Sequence, residues 1–329
     1  MSFLLSFFGD LIALAERAKD ASAMVGSGRV HKTALQATHH KILRHIRDIL
    51  RWGYRAGSDS DSEEIGGPGK PIVNIEGHRR FVRVLYKINR AGLDERREPV
   101  QFVTTNYDTL IEDALALELV PYTDGFAGGA IASWNEQLLL SPTVHQNLKA
   151  VVTKLHGSID WYRSGAEGGR VFRVRYDDLY PDRSDSNSNV VIYPQSTKYM
   201  ASREDPFGLL FQRFRDLLSA ERQQVLFVCG YSFGDDHIDS IIEQYLLHPE
   251  SKTTLVAFSS KRSGKLKTWG DSHAGERVFV VAADGLHRGC DGPFFPSHTE
   301  PSERDWWTFS GVTDLLENGL PADISDAIQ

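Results

Sequence analysis

Apolar residues return every three or four positions across much of the first ninety residues. Leu4, Phe8, Leu11 and Ala15 form one stripe, Leu35, Ile42, Ile46 and Ile49 a second, and Phe81, Leu85 and Ile88 a third. One stripe per segment is the pattern of amphipathic helices, so this region is predicted to be helical. Residues 57–69, rich in glycine, serine and acids, interrupt it as a loop. Gly26-Ser27-Gly28 has no predicted strand before it and reads as a helix-ending turn. The opening run from Phe3 to Phe8 is broken by Asp10. It lacks both the basic lead of a secretory signal and the roughly twenty uninterrupted apolar residues of a membrane span.

From Pro99 the pattern changes. Residues 100–104, 151–155, 170–176, 189–193, 225–229, 253–258 and 278–282 are short β-rich runs. Between them, residues 109–119, 206–220 and 236–247 carry helical spacing. Buried strands alternating with amphipathic helices predict an α/β fold with a doubly wound, Rossmann-like parallel sheet, here preceded by an additional helical region. The expected division is a helical region over residues 1–98, a Rossmann-type core over 99–290 and a tail over 291–329. In the tail, Trp306, Trp307 and Phe309 are expected to pack back onto the domain.

Composition narrows the class. At 41% hydrophobic and 25% charged residues the chain is an ordinary globular one, and its net charge of −7 argues against direct nucleic-acid binding. The densest basic stretch, from Arg79-Arg80 to Arg96-Arg97, reads as solvated helix faces. Two cysteines, Cys229 and Cys290, make no disulfide framework and suit a cytoplasmic location. Nor can two thiols build a four-cysteine zinc ribbon. His31, His39, His40 and His45 have no cysteine or carboxylate at ligand spacing, and no metal site is expected.

Three strand-to-turn junctions carry candidate chemistry: FVTTNYDTLIEDAL over residues 102–115, KLHGSIDW over 154–161 and VLFVCGYSFGDDHI over 225–238. In an open α/β sheet such junctions, at the carboxyl ends of strands, are where ligands sit. Asn106 offers both a donor and an acceptor, although it also suits a plain turn. Asp108, two residues on, can cap the following helix and bind a ligand at once. Histidine as a residue type has an unperturbed pKa near working pH; His156 precedes Gly157, so its ring can enter a cleft while the backbone turns away, or it bonds a strand-end carbonyl. Gly230 permits close backbone approach, and the Ser232 hydroxyl can bond a ribose or phosphate oxygen. Asp235, Asp236 and His237 are consecutive and cannot easily converge on one ion, so they read as helix-start residues.

In this order the three motifs resemble the sirtuin (silent information regulator) superfamily over roughly residues 99–285, and look closest to its prokaryotic antiviral branch. The resemblance implies an NAD hydrolase that cleaves the nicotinamide–ribose bond to give nicotinamide and ADP-ribose, in antiphage defence by NAD depletion. It implies His156 as catalytic base, Asn106 holding the attacking water or a ribose hydroxyl, and Thr105, Asp108, Gly230 and Ser232 contacting NAD. NAD is then substrate, and no zinc is expected. Homo-oligomers, or an ATPase, helicase or nuclease partner from the same defence system, are implied too. A catalytically impaired assembly or regulatory subunit is the alternative, and an NAD-dependent protein deacetylase a weaker one.

One departure stands out. The family opens with a strand and a Gly-Ala-Gly-x-Ser loop that wraps the pyrophosphate, whereas this chain starts in a predicted helix. The expectation is that Met1 lies inside the natural protein, about one strand–loop–helix unit late, and that the 329-residue form binds NAD poorly. The upstream reading frame tests this.

Overall fold

The structure, a computed structural model, describes residues 2–57, 64–88, 98–163, 170–175, 188–191, 206–219, 223–294 and 305–319. The chain divides into two compact units that interleave in sequence. One comprises Met1–Glu76 and Arg96–Gln212, the other Gly77–Glu95 and Arg213–Gln329.

The first unit opens on the predicted helices, α1 (Ser2–Arg17) and α2 (Lys32–Trp52). Leu11 and Ala15 of α1 and Leu35 of α2 are buried together with Ala23 in one small core, whereas Ile42, Ile46 and Ile49 of the second stripe are half-buried. Between the helices lies an antiparallel hairpin, β1 (Ser22–Val25) with β2 (Gly28–His31). This corrects the reading of Gly26 to Gly28 as a helix-ending turn. Gly26 has φ +60°, the left-handed geometry a two-residue hairpin turn requires. The strand before it was missed because Ser22-Ala23-Met24-Val25 is too short and too mixed to show a period of two. After α2, β3 (Tyr54–Arg55) pairs with β4 (Glu64–Ile65), so strand contacts flank the predicted loop, whose residues 58–63 lie outside the described set.

The strands that follow form two sheets. β5 (Val100–Thr104), β6 (Tyr122–Thr123) and β9 (Ala150–Lys154) make a parallel sheet in the order β5-β9-β6. Helix α4 (Leu110–Leu117) leaves β5; α3 (Glu76–Arg83), all but its first residue, belongs to the second unit. The second sheet is antiparallel, in the order β12-β10-β11-β8-β7, from β7 (Phe126–Gly128), β8 (Ile131–Trp134), β10 (Gly157–Arg163), β11 (Val171–Val174) and β12 (Ser188–Val191). Two single-turn helices, α5 (Gln137–Leu140) and α6 (Pro142–His145), lead from β8 towards β9. Trp161 of β10 is the centre of an aromatic core, with ring centroids 5.0 Å from Phe126, 6.0 Å from Trp134 and 6.4 Å from Phe207.

The chain crosses from the first unit to the second within α7 (Phe207–Leu217). In the second unit, β13 (Gln224–Cys229), β14 (Thr253–Phe258) and β15 (Val278–Ala282) are parallel. β16 (Gly285–Arg288) and β17 (Asp291–Phe294) extend the sheet antiparallel. Helices α8 (Asp236–Leu246) and α9 (Gly264–Gly270) connect the parallel strands. The fold is therefore α/β as expected, with N-terminal helices ahead of the strands; the second unit's sheet is mixed, because hairpin turns at Ala283-Asp284 and Gly289-Cys290 reverse the chain. The apolar run 225–229 is an edge strand, with Val225 54% and Phe227 57% exposed.

The tail packs as its aromatic content predicts. Trp306 is buried with Phe258, Val281, Leu286 and Val312, and its indole N–H donates to the Ala282 carbonyl. Phe309, at the start of α10 (Phe309–Asn318), stacks near Phe81 at 5.3 Å. Arg80 pairs with Asp314 at 2.6 Å and with Glu317, so that end of the basic stretch is neutralised locally; Arg96 and Arg97 fall outside the described residues.

Candidate functional site

β5 and β9 are adjacent and parallel, with Thr104 opposite Lys154. Both strands end at that pair. Asn106 and His156 therefore each lie two residues beyond the same rung, at the carboxyl edge of the sheet. This follows from sequence: both strands are short apolar runs stopped by polar residues, and parallel pairing aligns their ends.

The asparagine turn is tied down by several bonds. The Asn106 N–H donates to Thr104 Oγ1 at 3.0 Å. Asp108 Oδ1 accepts the Leu110 N–H at 3.1 Å, which satisfies the first N–H of α4 from the residue before its N-cap, Thr109. The Thr109 hydroxyl donates to Asp113 Oδ2 at 2.6 Å. Asn106 itself is exposed, while Thr105 and Asp108 are half-buried.

The histidine turn is a joint between two sheets. Only Leu155 and His156 separate β9 from β10, and Gly157 takes φ +83° to redirect the chain. Backbone bonds fasten this joint to the asparagine turn: Leu155 N–H to Thr104 O at 2.9 Å, and Ile159 N–H to Tyr107 O at 2.9 Å. The Ser158 hydroxyl also donates to Tyr107 O, at 3.1 Å. The His156 ring is half-buried, with its centroid 6.4 Å from that of Tyr107. Thr105, Asn106, Asp108 and His156 are thus brought to one edge of the first unit.

Beneath them lies a group that sequence reasoning missed. Lys154 and Glu112 are both buried, their side chains 1% and 2% exposed, with Nζ 3.2 Å from Oε1. Lys154 Nζ also donates to the Asp108 carbonyl. Burial pushes the Glu112 carboxyl up from its usual 4.5 to about 7, Lys154 acting against the shift and Asp160 and Asp124 adding to it. The folded chain then binds a proton that the unfolded chain has released between pH 4.5 and about 7, so this group's stability contribution is present below 4.5 and lost as pH rises towards 7. Glu112→Gln is expected to flatten the fall in melting temperature over that window, as thermal melts at a series of pH values would show. The available signal in sequence was Lys154 at the end of a largely apolar strand and the Glu112-Asp113 pair inside an otherwise apolar helix.

A cavity of about 330 Å³ lies beside this edge, lined by Trp52, Val73, Thr109, Asp113, Asp160 and Arg175 among others. Arg175 sits 3.2 Å from Asp160 and 3.6 Å from Asp113. Asn106 and His156 do not line it.

Gly230 and Ser232 follow β13 in the second unit. Both are exposed, and Gly230 has φ +69°. Asp235 caps α8, its Oδ1 accepting the His237 N–H at 3.1 Å and the Ile238 N–H at 3.5 Å. Within this unit Asp239, fully buried, accepts the Tyr231 hydroxyl at 2.7 Å and pairs with Lys265 at 2.6 Å. Burial, together with the bond to Asp239, raises the Tyr231 pKa. Among the described residues, no group of three or more His, Cys, Asp or Glu is placed to hold a metal ion, and no helix is long and apolar enough to cross a membrane. His31 caps α2, accepting the Thr33 N–H through Nδ1 at 3.4 Å.

The family model described as the SIR2-like domain matches residues 100–275, more than half of the 329-residue chain. No match was found among curated proteins.

Proposed function

The chain belongs to the SIR2-like family, and from that premise we propose that it is an NAD hydrolase that releases nicotinamide and ADP-ribose. The observation that carries this reading is the placement of Asn106 and His156 two residues beyond one rung of adjacent parallel strands. A polar amide and an imidazole at one strand-end edge can supply the water-orienting and proton-accepting groups that this glycosidic substitution uses.

In the proposed reaction the bond from ribose C1′ to the nicotinamide nitrogen breaks, and its electron pair leaves with the neutral nicotinamide. C1′ takes on oxocarbenium character, and a water oxygen bonds to it. Asn106 orients that water or a ribose hydroxyl through its paired donor and acceptor. His156 accepts the proton released as the new C–O bond forms, the general-base role that histidine most often fills. Asp108 uses Oδ1 for the Leu110 N–H, which leaves Oδ2 to accept from the nicotinamide carboxamide, with Thr105 beside it. The family resemblance assigns Gly230 and Ser232 to the adenosine side. Water is favoured over acetyl-lysine as acceptor, because two cysteines cannot form the zinc module of the deacetylating relatives.

NAD is always present in a cell, so such an activity needs a restraint. We place it in antiphage defence by NAD depletion, in the cytoplasm, held in check by self-assembly or by an ATPase, helicase or nuclease partner. Incubating the purified chain with NAD in ¹⁸O-water and resolving the products tests the chemistry. Nicotinamide and singly ¹⁸O-labelled ADP-ribose support it; no nicotinamide, with NAD bound or unbound, favours a noncatalytic assembly subunit. Ser232→Ala is expected to raise KM several-fold and leave kcat nearly unchanged, since the hydroxyl touches the cofactor away from the breaking bond. Steady-state kinetics would show the split.

A further inference from the structure

Lys154 stands in a strand whose five residues are all buried, where an apolar residue would be the ordinary choice. Its partner Glu112 is equally enclosed, and Glu112 Oε2 has no hydrogen-bond partner among the described residues. A half-satisfied buried ion pair is a poor device for stability, because well-packed apolar replacements of similar volume usually do as well or better. Something other than stability is needed to explain it.

The contacts of the ammonium supply that explanation. An ammonium has three donors. One is used on the Asp108 carbonyl and another is directed at Glu112, in the first turn of α4. Asp108 in turn accepts the first N–H of that helix through its side chain. The same lysine is two residues before His156 on β9. One rigidly buried side chain therefore runs from the histidine strand, beneath the sheet edge, to the last residue of the Asn106 turn and the helix behind it. Other ties between the two turns reach Thr104 and Tyr107; the lysine reaches Asp108.

We propose that Lys154 is a positioning residue: its ammonium, clamped between the Asp108 carbonyl and Glu112, fixes the Asn106–Asp108 turn against the His156 turn in the geometry that the reaction requires. Its effect on rate rests on the NAD-cleaving reading, whereas its effect on the turn does not. Misplacement of reacting groups by about 1 Å costs on the order of 10²-fold in rate, which is the scale expected when this clamp is lost.

Three variants of the full chain decide the matter: Lys154→Met, the double variant Lys154→Met with Glu112→Leu, and Glu112→Gln. Each is followed by thermal melting, by steady-state NAD hydrolysis and by hydrogen exchange of the peptide spanning residues 104–110. Lys154→Met is expected to lower both kcat and the melting temperature, since it strands a buried carboxyl. The double variant is expected to recover the melting temperature but to keep a kcat roughly 10- to 100-fold below wild type, with exchange at 104–110 accelerated about tenfold or more in both. Recovery of wild-type kcat and exchange together with stability would overturn the proposal, because the pair would then be structural only. If the double variant melts below the assay temperature, Glu112→Gln decides. It keeps the bond from Lys154 to the Asp108 carbonyl while replacing the charge of the second partner by a neutral acceptor, so its loss of kcat should be clearly smaller than that of Lys154→Met; an equal loss would overturn the assignment. If wild-type protein cleaves no NAD, the hydrolase reading fails, and the exchange measurements alone confirm or overturn the clamp.

Discussion

His156→Ala is expected to cut NAD turnover by about 10²–10⁴-fold, the usual loss when a general base is removed. Asn106→Ala should fall in the same range, since it removes the group that orients the nucleophile. Neither change should unfold the chain: the imidazole is half-buried and Asn106 is exposed, so each truncation leaves little cavity. Melting curves should overlay those of the wild type while nicotinamide release disappears. Substitutions that leave both melting and turnover near wild type would remove these residues from the site. At Asn106 the amide also has a plain turn role through its backbone bond to Thr104, which alanine retains, so a loss of rate there reports the side chain.

The largest loss of stability is expected at Trp161→Ala. The side chain is 1% exposed, and its ring sits among Phe126, Trp134 and Phe207. Removing a buried aromatic of this size costs about 3–5 kcal/mol, from lost transfer energy and the cavity left behind. Much of the first unit's stability is at stake, since a whole domain has only about 5–15 kcal/mol in hand. Urea denaturation followed by far-ultraviolet circular dichroism would register a lower midpoint. A loss below about 1 kcal/mol would mean that the surrounding rings close the gap, and that β10 is not held by this cluster.

Much of the fold could be read from the chain because its strands and helices have strong periods. The expected helix at 109–119 is observed as Leu110–Leu117, and the strands expected at 253–258 and 278–282 fall within the same bounds. The antiparallel meander was harder. Phe126–Gly128 and Ile131–Trp134 are three and four residues long, too short for alternation to stand out from loop sequence. The hairpin at Ser22–His31 was lost for the same reason, with helices on both sides favouring a helical reading. In the candidate site, the histidine and asparagine were legible because unusual polar residues follow apolar runs. Lys154 and Glu112 were in plain view within the same motifs, yet a charged residue beside a strand end is normally solvated. Only the observation that both are enclosed turns them into a feature. Gly230 and Ser232 were legible as a turn after a strand, and that turn is observed; their share in binding is for kinetics to decide.

The joint at Leu155-His156 has a consequence for how this protein can change over generations. Two residues reach about 7 Å when fully extended, so the link between β9 and β10 holds no slack. An insertion there would have to displace one sheet against the other, unlike an insertion at the Gly129-Ala130 tip of the β7–β8 hairpin, which has open space around it. The direction in which the His156 ring points is consequently inherited from the packing of both sheets rather than from the length of a loop. Selection for a differently aimed imidazole would have to work through remote residues such as Trp134 and Phe207, which seat β10, and drift at those distant positions is felt first at the ring.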